Sequence, residues 1–340
     1  MKSSGIGGQA VIEGVMMKNG REYAVAVRKP DGEIEIKKDC YEGITSKCAL
    51  FRVPFVRGIF NFIESLSLGM GILNYSASFY EEEEKELSEE EQARQKKKED
   101  FIMSVTMAFS LALAVGIFML LPTWIAGFLR GFLSPQGTEN YLAVAALEGV
   151  IRIAIFIAYV AGISLMKDIR RVFMYHGAEH KSINCIEHGL PLTVENVRKS
   201  SKEHKRCGTS FLLIVIVIST VVVMFVHTDT IWLRMLSRIL LLPVITGLSY
   251  EFLKLAGRSD SPIVDLLSRP GLWLQGLTTR EPADDMIEVA IASVEAVFDW
   301  REYLRENFPG VEIPADGEKP IDGKAPERKI PADGANADES

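Results

Sequence analysis

Several absences narrow the role of this chain before any motif is read. No stretch joins basic to aromatic residues in the manner of a nucleic-acid surface, so nucleic acid is excluded as a partner. The first residues, Met1-Lys-Ser-Ser-Gly5, contain no apolar signal region, so no cleaved secretory peptide is expected. Segment 101–121 has no charged residue over 21 positions. A helix needs about 20 apolar residues to cross a hydrocarbon core of ~30 Å, and a soluble domain has no use for such a run. Cysteine is sparse, at four residues: Cys40, Cys48, Cys185 and Cys207. The number is even, so arithmetic allows pairing, but the topology derived below puts all four in the cytoplasm, where thiols stay reduced.

What is present divides the 340 residues into unlike stretches. Residues 1–48 form a small β-rich element. Tyr23-Ala-Val-Ala-Val-Arg28 and Glu33-Ile-Glu-Ile-Lys37 alternate with period two around Asp31-Gly32, a β-hairpin signal. Gly7–Met17 predicts one further short strand. In 49–80, Val53, Val56, Phe60, Ile63 and Leu66/Met70 recur at helical spacing, but Arg52, Arg57 and Glu64 interrupt the run. An in-plane or re-entrant amphipathic helix fits that pattern better than a span. Residues 81–100 are a charged linker, and Glu81–Glu91 reads as a solvated run.

Residues 101–258 read as a transmembrane bundle of four spans: 101–121 with a continuation past Pro122 to about 132, 141–166, a slightly short 210–227, and 231–253. Glu148 and Arg152, four apart, are expected to pair inside the second span rather than to line a transport pathway. Residues 259–308 hold an interfacial segment around Trp273 and an amphipathic helix at 284–303, with Met286, Val289, Ala290, Val294, Val297 and Phe298 on one stripe. The Pro/Gly/Asp-rich tail, 309–340, is expected to be disordered. Loop 167–210 carries nine Lys/Arg, linker 81–100 carries five, and 133–140 and 228–230 carry none. The bias of basic residues toward the cytoplasm therefore places both termini and loop 167–210 on the cytoplasmic side.

That loop holds four of the five histidines and two of the four cysteines. His176-Gly-Ala-Glu179-His180 puts two imidazoles at i and i+4, on one face of a helix. His-x-x-Glu-His is the inverted zinc-peptidase arrangement, with the glutamate as general base for a water activated by the metal. His204 and Cys207 follow some two dozen residues later, and the intramembrane Glu251 lies at similar depth. The candidate ligands of a divalent metal, zinc by preference, are thus His176, His180, His204, Cys207 and Glu251, with Glu179 catalytic. His176, His180, His204 and Cys207 could also close a structural site. Glu187 and His188 are candidate supporting partners or alternative ligands, though His188 reads more readily as a solvent-exposed loop histidine, and Gln9 and Glu13 are weaker candidates for facing the same metal. The alternative is a set of polar contacts without metal.

Four strings resemble the bacterial YqhQ-like membrane proteins: Gly8-Gln-Ala-Val-Ile-Glu-Gly-Val-Met-Met17, Tyr175-His-Gly-Ala-Glu-His-Lys181, Arg206-Cys-Gly-Thr-Ser-Phe211 and Gly247-Leu-Ser-Tyr-Glu251. The resemblance covers roughly residues 1–305. It implies an integral membrane protein of unknown function, described as a predicted metal-dependent enzyme, with the His/Glu residues as its site. It supplies no reaction. Lys205 stands where many relatives would carry proline.

The expectation is therefore a mainly α, polytopic helical membrane protein with a small N-terminal β-hairpin element and a cytoplasmic His/Cys loop. Its leading function is metal-dependent hydrolysis at the cytoplasmic face, on a membrane peptide or a lipid headgroup, with the lipid bilayer as partner and protein partners unknown. The alternatives are a scaffold with a structural metal and, less favoured for want of internal repeats, a transporter.

Overall fold

The computed structural model describes residues 2–43, 53–54, 56–80, 89–133, 141–226, 230–256, 261–311 and 313. Cys48, most of the acidic run at 81–91 and the tail from residue 314 lie outside the described residues.

A four-stranded antiparallel meander opens the chain: β1 (Gly7–Val11), β2 (Gly14–Asn19), β3 (Glu22–Arg28) and β4 (Ile34–Cys40), in spatial order β1-β2-β3-β4. The expected hairpin is β3–β4, with Val25 opposite Lys37. The single strand expected at 7–17 is instead a second hairpin, turning at Ile12-Glu13, with Glu13 in the left-handed region at φ 52°. Side chains alternate across the sheet. Val15, Met17, Ala24 and Ala26 enter one core; Val11, Met16, Val25 and Val27 enter another.

The helices follow: α1 (Val56–Ala77), α2 (Glu89–Val115), a π-turn at Gly116–Leu120, α3 (Leu121–Leu133), α4 (Tyr141–Ile163), α5 (Lys167–Glu187), α6 (Val194–Lys199), α7 (Gly208–Met224), α8 (Ile231–Ala256), α9 (Pro262–Thr278), α10 (Asp284–Val297) and α11 (Trp300–Asn307). Among the described residues, four helical stretches are long and apolar enough to cross a membrane: Val56–Ala77, Phe101–Leu129, Leu142–Ile163 and Trp232–Leu255. The apolar α7, expected as a span, has 17 residues and is shorter. Conversely, the 49–80 region contains a helix of spanning length. Its first turns touch the last turns of α8, through Arg57–Glu251 and Asn61–Tyr250, while its later turns pack Leu68, Ile72 and Tyr75 on the sheet.

The loop expected at 167–210 is mostly helix. Its second half, Gly177–Glu187, is buried on every side. The core around it joins distant parts of the chain: β2 and β3, Tyr175, Ala178, Ile183 and Ile186 of α5, the stripe Met286, Val289, Ala290, Val294 and Val297 of α10, and Trp300 and Leu304 of α11. Each large apolar side chain so buried contributes roughly 1.5–3 kcal/mol. The 284–303 helix is broken at Phe298-Asp299, where the Asp299 carboxylate accepts from the backbone N–H groups of Arg301 and Glu302 and starts α11. The N-terminal sheet, the middle of the chain and the C-terminal helices thus build one α/β layer against the apolar bundle.

Candidate metal centre

A helix with so many polar residues is buried only if they find partners. On α5 those partners are backbone carbonyls of the segment 198–206. Lys181 Nζ donates to Arg198 O (2.9 Å) and Ser200 O (2.8 Å), and Asn184 Nδ2 to Ser201 O (2.7 Å) and Glu203 O (2.8 Å). Glu187, fully buried, accepts from Ser4 N (2.7 Å), Ser4 Oγ (2.8 Å) and the Arg206 guanidinium. Gln275 of α9 holds the same segment from the other side. Its side chain accepts from His204 N and donates to His204 O and Ser210 Oγ, each at 2.8 Å. These bonds deliver Cys207, the residue that caps α7, to the histidines of α5.

His176 and His180 lie with ring centroids 4.3 Å apart. His176 Nδ1 donates to Thr278 O at 2.9 Å, and His180 Nδ1 to Lys202 O at 2.7 Å. Thr278 ends α9, so its carbonyl is one of those that a helix terminus leaves without an internal partner. A ring that donates from Nδ1 carries its lone pair on Nε2, the arrangement by which proteins orient metal-binding histidines. His176 Nε2 sits 3.2 Å from Cys207 Sγ. The ligand atoms of His176, His180 and Cys207 all lie within 4.8 Å of one another. Two ligands of one tetrahedral zinc are roughly 3.3–3.7 Å apart, so the three groups are near coordinating positions. Cys207 Sγ also faces the N–H (3.4 Å) and hydroxyl (3.1 Å) of Thr209.

Glu179 projects beside this trio toward β1. Burial raises its pKa to about 7, against the opposing pull of His176 and of the Gly8 N–H. A carboxyl titrating near neutrality suits a general base. Two glycines make the arrangement possible. A Cβ on Gly8 would lie 2.6 Å from Met16 O and 2.9 Å from Glu179 Cγ and Cδ. A Cβ on Gly177 would occupy the place of the Arg280 carbonyl oxygen, where 279–282 runs along α5.

The other expected ligands are placed elsewhere. His204 is a ring neighbour of His180, at 5.7 Å between centroids, but its Nε2 turns to Glu187 at 3.4 Å and it lies outside the trio. Burial lowers its pKa, with Arg206 and His180 acting in the same direction and Glu187 opposing. Glu251 ion-pairs with Arg57 at the α1–α8 contact. Glu13 pairs with Arg171 and accepts from Tyr175 OH at 3.2 Å, tying the β1–β2 turn to α5. Gln9 packs against Gly69 of α1. His188 is exposed, with Nδ1 on Asn184 O at 2.8 Å. Glu187 meets His204 and Arg206, in the segment that leads to Cys207. Cys185 is buried against the Leu190 and Pro191 carbonyls, and burial pushes its thiol up to about 12. Lys181, Asn184 and Gln275 went unread as site residues. Their polar side chains in apolar surroundings were the available signal.

Residues 53–300 match a family described as protein of unknown function (DUF1385). The chain is 39% identical over 297 residues, 84% of its own length and 90% of the relative's, to the uncharacterized protein YqhQ of Bacillus subtilis (strain 168). No solved structure matches. The chain belongs to the DUF1385 family.

Proposed function

We propose that this member of the family is a metal-dependent hydrolase of the bacterial cell membrane, with its reaction centre at the cytoplasmic face. The observation that carries the reading is the paired tautomer lock. Two backbone carbonyls hold the Nδ1 protons of His176 and His180. His176 Nε2 is left 3.2 Å from the Cys207 sulfur, and a ring nitrogen of His180 lies within 4.8 Å of both. Two imidazoles and one thiolate are a zinc-type donor set, and a set of three leaves a coordination position for water or substrate. A bound zinc ion would supply Lewis acidity and lower the pKa of water. Glu179 would take the proton of that water and return it to the leaving group.

The topology follows from the same reading. Basic residues put loop 167–210 and both termini on the cytoplasmic side. The contacts of α1, with the end of α8 at one end and the sheet at the other, favour an interfacial course for this helix over a crossing. A substrate held at the bilayer surface, a membrane peptide or a lipid headgroup, would meet Cys207 where α7 begins.

A second reading is supported by the origin of the ligands. His176 and His180 come from the α/β layer and Cys207 is the cap of an apolar helix, so a metal there would also rivet layer to bundle. Glu179→Gln separates the two. Hydrolysis of a membrane-peptide or lipid panel should vanish while metal content and melting temperature persist. Wild-type chain purified without stoichiometric metal would end both readings.

A further inference from the structure

A second polar cluster lies inside the bundle, apart from the metal centre. Glu148 of α4, Arg152 of α4 and Arg238 of α8 are 1%, 3% and 2% exposed. Glu148 accepts from Arg152 Nη2 (2.7 Å), Arg238 Nε (3.1 Å), Arg238 Nη2 (3.0 Å) and Thr123 Oγ1 (2.9 Å). Arg152 Nη1 donates to Ser219 Oγ at 2.6 Å and Arg238 Nη1 to Ser237 Oγ at 3.3 Å. Arg152 Nε is buried without a hydrogen-bond partner among the described residues. The expected Glu148–Arg152 pair is present, but one carboxylate serves two guanidiniums. Among the described residues bonded in this set, one carboxylate faces two guanidiniums, a surplus positive charge where a low dielectric makes an uncompensated charge costly.

Beside it, between α4, α7 and α8, is a cavity of about 20 Å³, lined by Glu148, Arg234 and Arg238 and by apolar Val144, Ala145 and Val223. That is room for about one water-sized group. Arg234 and Arg238 are the fourth and eighth residues of α8, so the cavity lies roughly 5–11 Å along that helix from its start. This is the end of the bundle where α7 finishes and α8 begins, opposite the metal centre.

We propose that this cavity is an anion site that takes one oxygen of a singly charged phosphate group entering from that end of the bundle. Arg238 meets the phosphate, and Glu148 is the internal counter-ion that holds its guanidinium in place. A single negative charge neutralises the surplus of Glu148, Arg152 and Arg238. Guanidinium groups match phosphate oxygens in geometry as well as charge. A phospholipid headgroup and free inorganic phosphate share this chemistry. The inference does not depend on the metal centre.

The test uses the full chain in dodecyl maltoside micelles, which carry no phosphate: alone, with phosphatidylglycerol added, and with inorganic phosphate added. The readouts are thermal unfolding and lipid retention by native mass spectrometry. Phosphatidylglycerol should raise the unfolding temperature and remain bound to the wild-type chain. Protection by inorganic phosphate without lipid retention would support the same site with a soluble ligand. Arg238→Gln leaves a balanced Glu148–Arg152 pair and should weaken retention about tenfold or more. Ala145→Leu fills the cavity without changing any charge and should do the same, so the test survives if the arginine variant fails to fold. Equal stability in all three preparations, equal protection by chloride at matched ionic strength, or unchanged retention in a folded Ala145→Leu chain would overturn the proposal.

Discussion

Replacing Gln275 by alanine should loosen the proposed metal centre without touching a proposed ligand. Gln275 is fully buried and makes three hydrogen bonds of 2.8 Å, two of them to the backbone of His204. Alanine leaves the N–H and C=O of His204 without these partners in a buried place. An unsatisfied buried polar group costs about 1–3 kcal/mol, so the pair, after local relaxation, should cost about 3 kcal/mol. The released segment runs directly into Cys207, and losses of 10- to 100-fold in metal affinity are typical when outer support of a ligand is removed. Thermal unfolding of the purified chain with and without chelator reads the first effect, and competition with a chromogenic chelator reads the second. Gln275→Glu keeps the acceptor for His204 N–H and loses both donors, so it should fall between wild type and alanine. Unchanged metal affinity in a chain destabilised as expected would refute the reasoning, because Cys207 would then be held independently of this latch.

Gly8→Ala should cost about 1–3 kcal/mol, since the new methyl meets Met16 O and the Glu179 side chain. It should spare metal content, to be checked by unfolding and metal analysis together. Glu251→Gln should leave metal content at the wild-type level, because Glu251 faces Arg57; a stability loss of about 1 kcal/mol is expected from this partly exposed pair. Burial pushes Glu187 up, but bonds from His204 and Arg206, the Arg206 charge and the Ser4 N–H outweigh it and hold the group at about 2. A carboxyl depressed on folding stabilises above its unfolded value near 4.5 and loses that contribution as pH falls toward 2. The loss should reach roughly 3 kcal/mol. An acid titration of unfolding should show a slope between those values that Glu187→Gln abolishes; the same slope in the variant would assign it to other groups.

The sheet and the centre were legible to different depths. β3 and β4 could be read because alternation and Asp31-Gly32 announce a hairpin. The β1–β2 turn could not, since Ile12-Glu13 carries no turn signal and its left-handed Glu13 is held by Arg171 and Tyr175, far along the chain. The i,i+4 histidines showed a shared face. They could not show which ring nitrogen was free, because the carbonyls that decide it belong to Thr278 and Lys202. The region 167–210 looked like a loop because the apolar stripe of α5, Tyr175, Ala178, Ile183 and Ile186, lies among many polar residues; its polar face is buried as well, against backbone carbonyls. His204 looked like a ligand by proximity to Cys207, yet Glu187, which claims its Nε2, lies on another element. Glu251 shows the same limit: depth in the membrane suggested the metal, while the crossing of α1 over α8 gave it Arg57.

The central claim is that His176, His180 and Cys207 hold one metal ion together. X-ray absorption at the metal edge, on full-length chain purified with its native metal, reads that set of ligands directly. Two imidazole nitrogens and one sulfur in the coordination sphere, with the sulfur lost in Cys207→Ser, are the predicted result. A sphere of oxygen alone, or sulfur that persists in that variant, would contradict it.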